Sequence, residues 1–96
     1  MSRRDEISIR EAIRQMLERY HLSDKVNEIR LISAWEGVVG PVIARHTLHL
    51  AVRKKVLFVK VDSAALRNEL SYAKSLLINQ LNKEAGAEVI TDIVFR

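Results

Sequence analysis

The sequence predicts an α+β fold in the order α-α-α-β-β-α-β, with a small three-stranded mixed sheet covered by helices on one face. Three observations carry this. Apolar residues recur with helical spacing through the first forty residues. Two runs of period-two alternation follow between residues 47 and 61, joined by a short basic segment. A further helical period over about 64–84 then leads into a β-branched run, which makes the crossover between its flanking strands right-handed. Ninety-six residues have room for one core, so 1–96 is read as a single domain.

Residues 7–21 read as an amphipathic helix whose apolar side is Ile9, Ala12, Ile13, Met16, Leu17 and Tyr20. Ser8 and Glu11 spell a Ser-x-x-Glu capping box at its start. Ser23 or Asp24 caps a second helix to about Val39, with a stripe of Val26, Ile29, Ile32, Trp35 and Val39. Gly40 ends it in a left-handed conformation, and Pro41 opens a short third helix to about His46. The hairpin follows, with Leu48, Leu50, Val52, Leu57, Val59 and Val61 facing inward. Its connection, Arg53-Lys54-Lys55, lacks the Gly or Asn that would identify the turn type. Asp62 and Ser63 cap the long helix of about 64–84, with a stripe of Leu66, Leu70, Ala73, Leu77 and Leu81. Gly86 closes that helix, and Val89 to Phe95 is the last strand.

Sixteen basic residues against twelve acidic ones give a net charge of +4. The excess is concentrated: residues 51–62 carry Arg53, Lys54, Lys55 and Lys60 against Asp62 alone. Such a cluster marks a polyanion contact, or it keeps a hairpin tip wet and guards a strand edge. There is no cysteine, which excludes disulfide frameworks, thiolate catalysis and zinc ribbons. No apolar run reaches the ~18 residues of a membrane span. The charged N-terminus does not resemble a signal peptide, so a cytoplasmic location is expected.

The residues give catalysis little support. His46 and His49 are three apart on a strand, where side chains face opposite ways, so the two do not converge on a metal. No carboxylate pair or nucleophile elbow is recognisable. The chain is read as a non-enzymatic binding module with no cofactor and no small-molecule substrate. Gly37-Val38-Val39-Gly40 spells the G-x-x-G with which KH domains clamp a nucleic-acid backbone. Its two valines fit equally a helix C-terminus turned into the core. Trp35 is a core anchor or a half-exposed interface anchor. Phe58 falls on the outward face of the hairpin with His49, Ala51, Arg53, Val56 and Lys60. An aromatic among basic residues there suits single-stranded nucleic acid, or the face docks another protein. Arg67 and Lys74, seven apart on one side of the long helix, extend the basic surface or keep that side solvated.

The run from Trp35-Glu36-Gly37 through Pro41, Ile43 and Ala44 to His46-Thr47 is followed by Leu57-Phe58-Val59-Lys60-Val61-Asp62-Ser63, Arg67-Asn68-Glu69-Leu70 and Leu81-Asn82. This ordered set resembles the DciA family, bacterial replicative helicase loader or operator proteins. The resemblance covers roughly residues 8–96. It implies a KH-like fold without a working G-x-x-G clamp. It implies a protein that binds the replicative helicase DnaB and assists its loading onto single-stranded DNA, with weak DNA affinity of its own. The matching positions carried over as partner contacts are Trp35, Glu36, His46, Ser63, Arg67 and Glu69. The nucleic-acid contacts read from the residues are Arg53, Lys54, Lys55, Phe58, Lys60, Arg67 and Lys74. Longer family members add a basic extension, which is not expected where the chain ends at Arg96. The alternative is a stand-alone KH-like RNA-binding protein. A third reading has the open sheet serve self-association.

Overall fold

The described residues are 3–96, with side chains from Ser8 onward. In the computed structural model they form helices α1 (Arg3–Arg19), α2 (Ser23–Val39) and α3 (Pro41–Arg45), strands β1 (Thr47–Arg53) and β2 (Val56–Val61), helices α4 (Ala64–Tyr72) and α5 (Lys74–Ala85), and strand β3 (Asp92–Phe95). The sheet order is β1-β2-β3, antiparallel between β1 and β2 and parallel between β2 and β3. The mixed α+β architecture is the one the sequence predicts.

Period-two alternation sends Leu57, Val59 and Val61 of the central strand into the core. Ile93 lies opposite Leu57 in the parallel register, and both are buried. Leu31 and Trp35 of α2 and Leu70, Leu77 and Leu81 of α4 and α5 complete the cluster. Leu50 and Val52 of β1 pack against it as expected. Leu48 does not: the register slips between Thr47 and His49, and the bulge leaves Leu48 58% exposed.

Several helix expectations change. The first helix begins at Arg3, so Ser8 lies inside it and does not cap it. Glu11 is engaged further along by Arg14 and Gln15. The hydrogen bond from Arg14 holds the Glu11 carboxyl below its ordinary pKa. The apolar side of α1 stays largely in solvent, with Ile9, Ile13, Met16 and Tyr20 exposed and Leu17 half-buried. The periodicity marks a face that favours burial, while this chain covers little of it. A radius of gyration of 16.1 Å, against about 12 Å for a compact chain of this length, and a long axis of 53 Å fit a projecting α1.

Helix α2 starts at Ser23 after Leu22, with no side-chain cap. Its buried face is Leu31 and Trp35, with Ala34, Val38 and Val39 packed beside them, whereas Ile29 is 61% exposed. Apolar residues occupy most of this helix's circumference, so spacing alone picks more than one stripe. Val38 and Val39 thus turn into the core, as the C-terminal reading of Gly37-Val38-Val39-Gly40 has it. Gly40 has φ 88° and ψ 166°, positive in φ but outside the left-handed helical well, and its N–H reaches Glu36 O.

The long helix is broken at Ala73, where the N–H bonds back three residues to Leu70 O at 3.0 Å. Residue 73 has φ −99° and ψ 9°. The break lets α4 pack against β2 and β3 while α5 lies along α2. The last strand is shorter than predicted, because Val89 and Ile90 are held by a side chain before the ladder begins at Asp92. No helix among the described residues is long and apolar enough to cross a membrane.

Candidate functional site

Residues far apart in sequence converge where α3, the start of β1 and the start of α4 meet. The Trp35 indole N–H donates to Thr47 Oγ1 at 3.0 Å, and that hydroxyl donates to Ile43 O at 2.9 Å. The second bond satisfies a carbonyl in a helix of only five residues. His46 and Asp62 are joined twice. Nδ1 of His46 lies 2.8 Å from Asp62 Oδ1, and the Asp62 N–H donates to His46 O at 3.1 Å. Ser63 caps α4 as expected, its hydroxyl accepting from the Leu66 N–H at 3.2 Å.

These contacts frame a groove of about 320 Å³ lined by Val42, Ile43, His46, Ser63, Ala65, Leu66 and Glu69. Its floor is apolar. Val42 and Glu69 are exposed among its lining residues, and Glu69 has no ion pair among the described residues. Of the six partner positions carried over from the resemblance, His46, Ser63 and Glu69 line this groove. Trp35 is 2% exposed, so its ring is chiefly a core anchor that supports α3 and β1. Glu36 lies on a separate groove with Trp35, Leu48 and Leu50, beside the β1 edge. Arg67 is half-buried on α4, with its Nε unpaired. Sequence reading missed Val42, Ile43, Ala65 and Leu66. Nothing in their spacing separates an exposed groove wall from core.

The seven basic and aromatic positions divide. Phe58 sits on the central strand, opposite Ala51 of β1 and Val94 of β3. Arg53 and Arg96 place guanidinium carbons 5.9 and 5.0 Å from its ring centroid. Lys60 and its cross-strand partner His49 are exposed further along the same face. Lys54 and Lys55 form the two-residue turn, with φ 49° and 64°. They line a pocket of about 480 Å³ that also holds Asp24, Glu28 and Glu88. Lys74 pairs with Asp92 at 3.4 Å. The break at Ala73 sets Lys74 on a different helix from Arg67, so the two do not share one helical side. Arg96, which the sequence reading did not single out, joins the sheet face because its N–H bonds to Val59 O and its carbonyl accepts from the Val61 N–H. Among the described residues no group of three His, Asp or Glu could hold a metal ion.

The arrangement offers a small apolar groove with an acidic rim and, separately, an open sheet face bearing unneutralised cations. Comparison with known proteins adds a family to this geometry. The family described as Dna[CI] antecedent, DciA, matches this chain over residues 8–95. A UPF0232 protein of Corynebacterium glutamicum (strain R) is 31% identical over 61 residues, which is 64% of this chain and 34% of that protein. The matched segment thus spans about a third of that relative's length. No solved structure matches.

Proposed function

The chain belongs to the DciA family, and from that premise we propose that it is a non-enzymatic adaptor. It binds the replicative DNA helicase DnaB and assists its placement on single-stranded DNA, with weak nucleic-acid affinity of its own. The observation that carries this is the α3–α4 groove. His46, Ser63 and Glu69, drawn from three stretches of the family-like sequence, line one apolar depression. Val42 on the groove wall is 59% exposed, so an apolar side chain here is left for a partner to cover. A groove of this size accepts one or two apolar side chains of a partner, and an unpaired Glu69 favours a basic residue beside them.

The test is co-purification from a native bacterial lysate. The tagged chain should recover the replicative helicase. Val42→Asp and Glu69→Arg should each lower that recovery at least fivefold without changing the thermal midpoint. Recovery of ribosomes or RNA without helicase would sink the reading.

A further inference from the structure

Phe58 has two cations on it. Arg53 arrives from β1 and Arg96 from the end of β3, both within the ~6 Å range of a cation–π contact. Two like charges on one ring repel each other, and neither has a carboxylate partner among the described residues. Lys60, exposed two residues beyond Phe58 on the same strand, is also unpaired. By contrast Lys54 and Lys55 line a pocket with three carboxylates, and Lys74 has Asp92. The sheet face therefore carries three cations without an ion pair among the described residues, set apart from the turn lysines and the carboxylates that share their pocket.

We propose that Arg53 and Arg96, held on Phe58, form with Lys60 a clamp for the phosphodiester backbone of single-stranded nucleic acid. Phe58 positions the guanidinium groups and does not stack on a base. An anion between the two arginines relieves their repulsion and takes paired N–H donors from each. Base stacking would need a bare ring face, and this ring is half-buried with arginines over it. The clamp reads no base edge, so sequence does not matter to it. This inference rests on the nucleic-acid part of the proposed function and is independent of the helicase groove.

Two probes of equal length separate the modes: oligo-dT and the same phosphodiester chain lacking bases. Each is titrated with the full chain at two salt concentrations. The abasic chain should bind within about twofold of oligo-dT. Arg53→Gln and Arg96→Gln should each flatten the slope of log affinity against log salt by about 0.7, for both probes alike. Phe58→Leu should weaken both probes by the same factor. Arg53→Lys, which keeps the charge, should keep the slope, and matching thermal midpoints would show all variants folded. A tenfold or greater loss with the abasic chain would overturn the clamp, because it would place bases on Phe58. So would arginine variants with unchanged slopes, or no binding of either probe at low salt. Helicase recovery by Arg53→Gln is read in parallel. Retained helicase with a failed clamp overturns this inference alone, whereas a working clamp without helicase overturns the adaptor.

Discussion

The Trp35 indole N–H and the Thr47 hydroxyl meet at 3.0 Å across the junction of α2 and β1, and Thr47 passes the bond on to Ile43 O. One threonine thus fixes the buried tryptophan, the short α3 and the first residue of β1. Thr47→Val keeps the shape and removes both bonds. It leaves the Trp35 N–H buried without an acceptor, which costs about 1–3 kcal/mol. For a domain of this size each kcal/mol lowers the thermal midpoint by about 4–8 °C. A melt of Thr47→Val within 1 °C of the parent, at roughly the noise expected for a surface change, would show that the relay carries no stability.

The hairpin turn is held against local preference. Lys54 and Lys55 both have positive φ, as a type I′ turn requires, in a sequence without the Asn-Gly that normally supplies it. Thr91 braces the turn from outside, its N–H donating to Lys55 O at 2.8 Å. Each lysine in that conformation costs about 1–2 kcal/mol relative to glycine. Lys55→Gly should therefore raise stability by roughly 0.5–1 kcal/mol after the glycine's own entropic cost. It should leave affinity for oligo-dT within about twofold, because Lys55 lines the turn pocket and is not among the cations around Phe58. Chemical denaturation and the same titration read the two effects, and a tenfold loss of DNA affinity would reassign the turn to the binding face.

Helix α2 shows where the sequence stops being legible. Its existence and length follow from the apolar residues, but its buried side does not, because Ile29 and Leu31 are equally apolar and only the structure orients them. Leu31 is fully buried and Ile29 mostly exposed. Leu31→Ala should cost about 3–4 kcal/mol, and Ile29→Ala at most about 0.5 kcal/mol. Equal costs for the two would mean that α2 is rotated from the position described.

The site was less legible than the fold, for a related reason. The charge excess of residues 51–62 is one feature in sequence and two in space. Strand alternation sends Arg53 and Lys60 to the open face, and the turn carries Lys54 and Lys55 toward Asp24, Glu28 and Glu88. Arg96 meets Arg53 over Phe58 only because β3 pairs in parallel with β2, a long-range pairing that no local pattern announces. The groove has the same character, since Val42 and Leu66 touch one space only after the crossover folds. Ser63 was the exception: a cap is a local motif, and it was readable.

Asn82 supports β3, and through it Arg96, by imitating a strand. Its Oδ1 accepts the N–H groups of Val89 and Ile90, both at 3.0 Å, and its Nδ2 donates to Ile90 O at 2.9 Å. These bonds hold the buried backbone between Gly86 and the first ladder pair at Asp92, where the sheet supplies no partner. Asn82→Ala frees the Ile90 N–H and carbonyl in a half-buried setting and leaves the Val89 N–H with Ala87 O alone, for a cost of about 1–3 kcal/mol. Asn82→Asp keeps the acceptor but sets a carboxylate oxygen against Ile90 O, so it should be no milder than alanine. If the anchor works as described, amide exchange in Asn82→Ala accelerates first at Val89 and Ile90 and then along β3. The Ala51 amide on the far strand, which faces Phe58 across the antiparallel pair, should stay protected at any opening short of global unfolding. Uniform acceleration across all three strands would mean that Asn82 contributes to global stability alone and gives β3 no separate support.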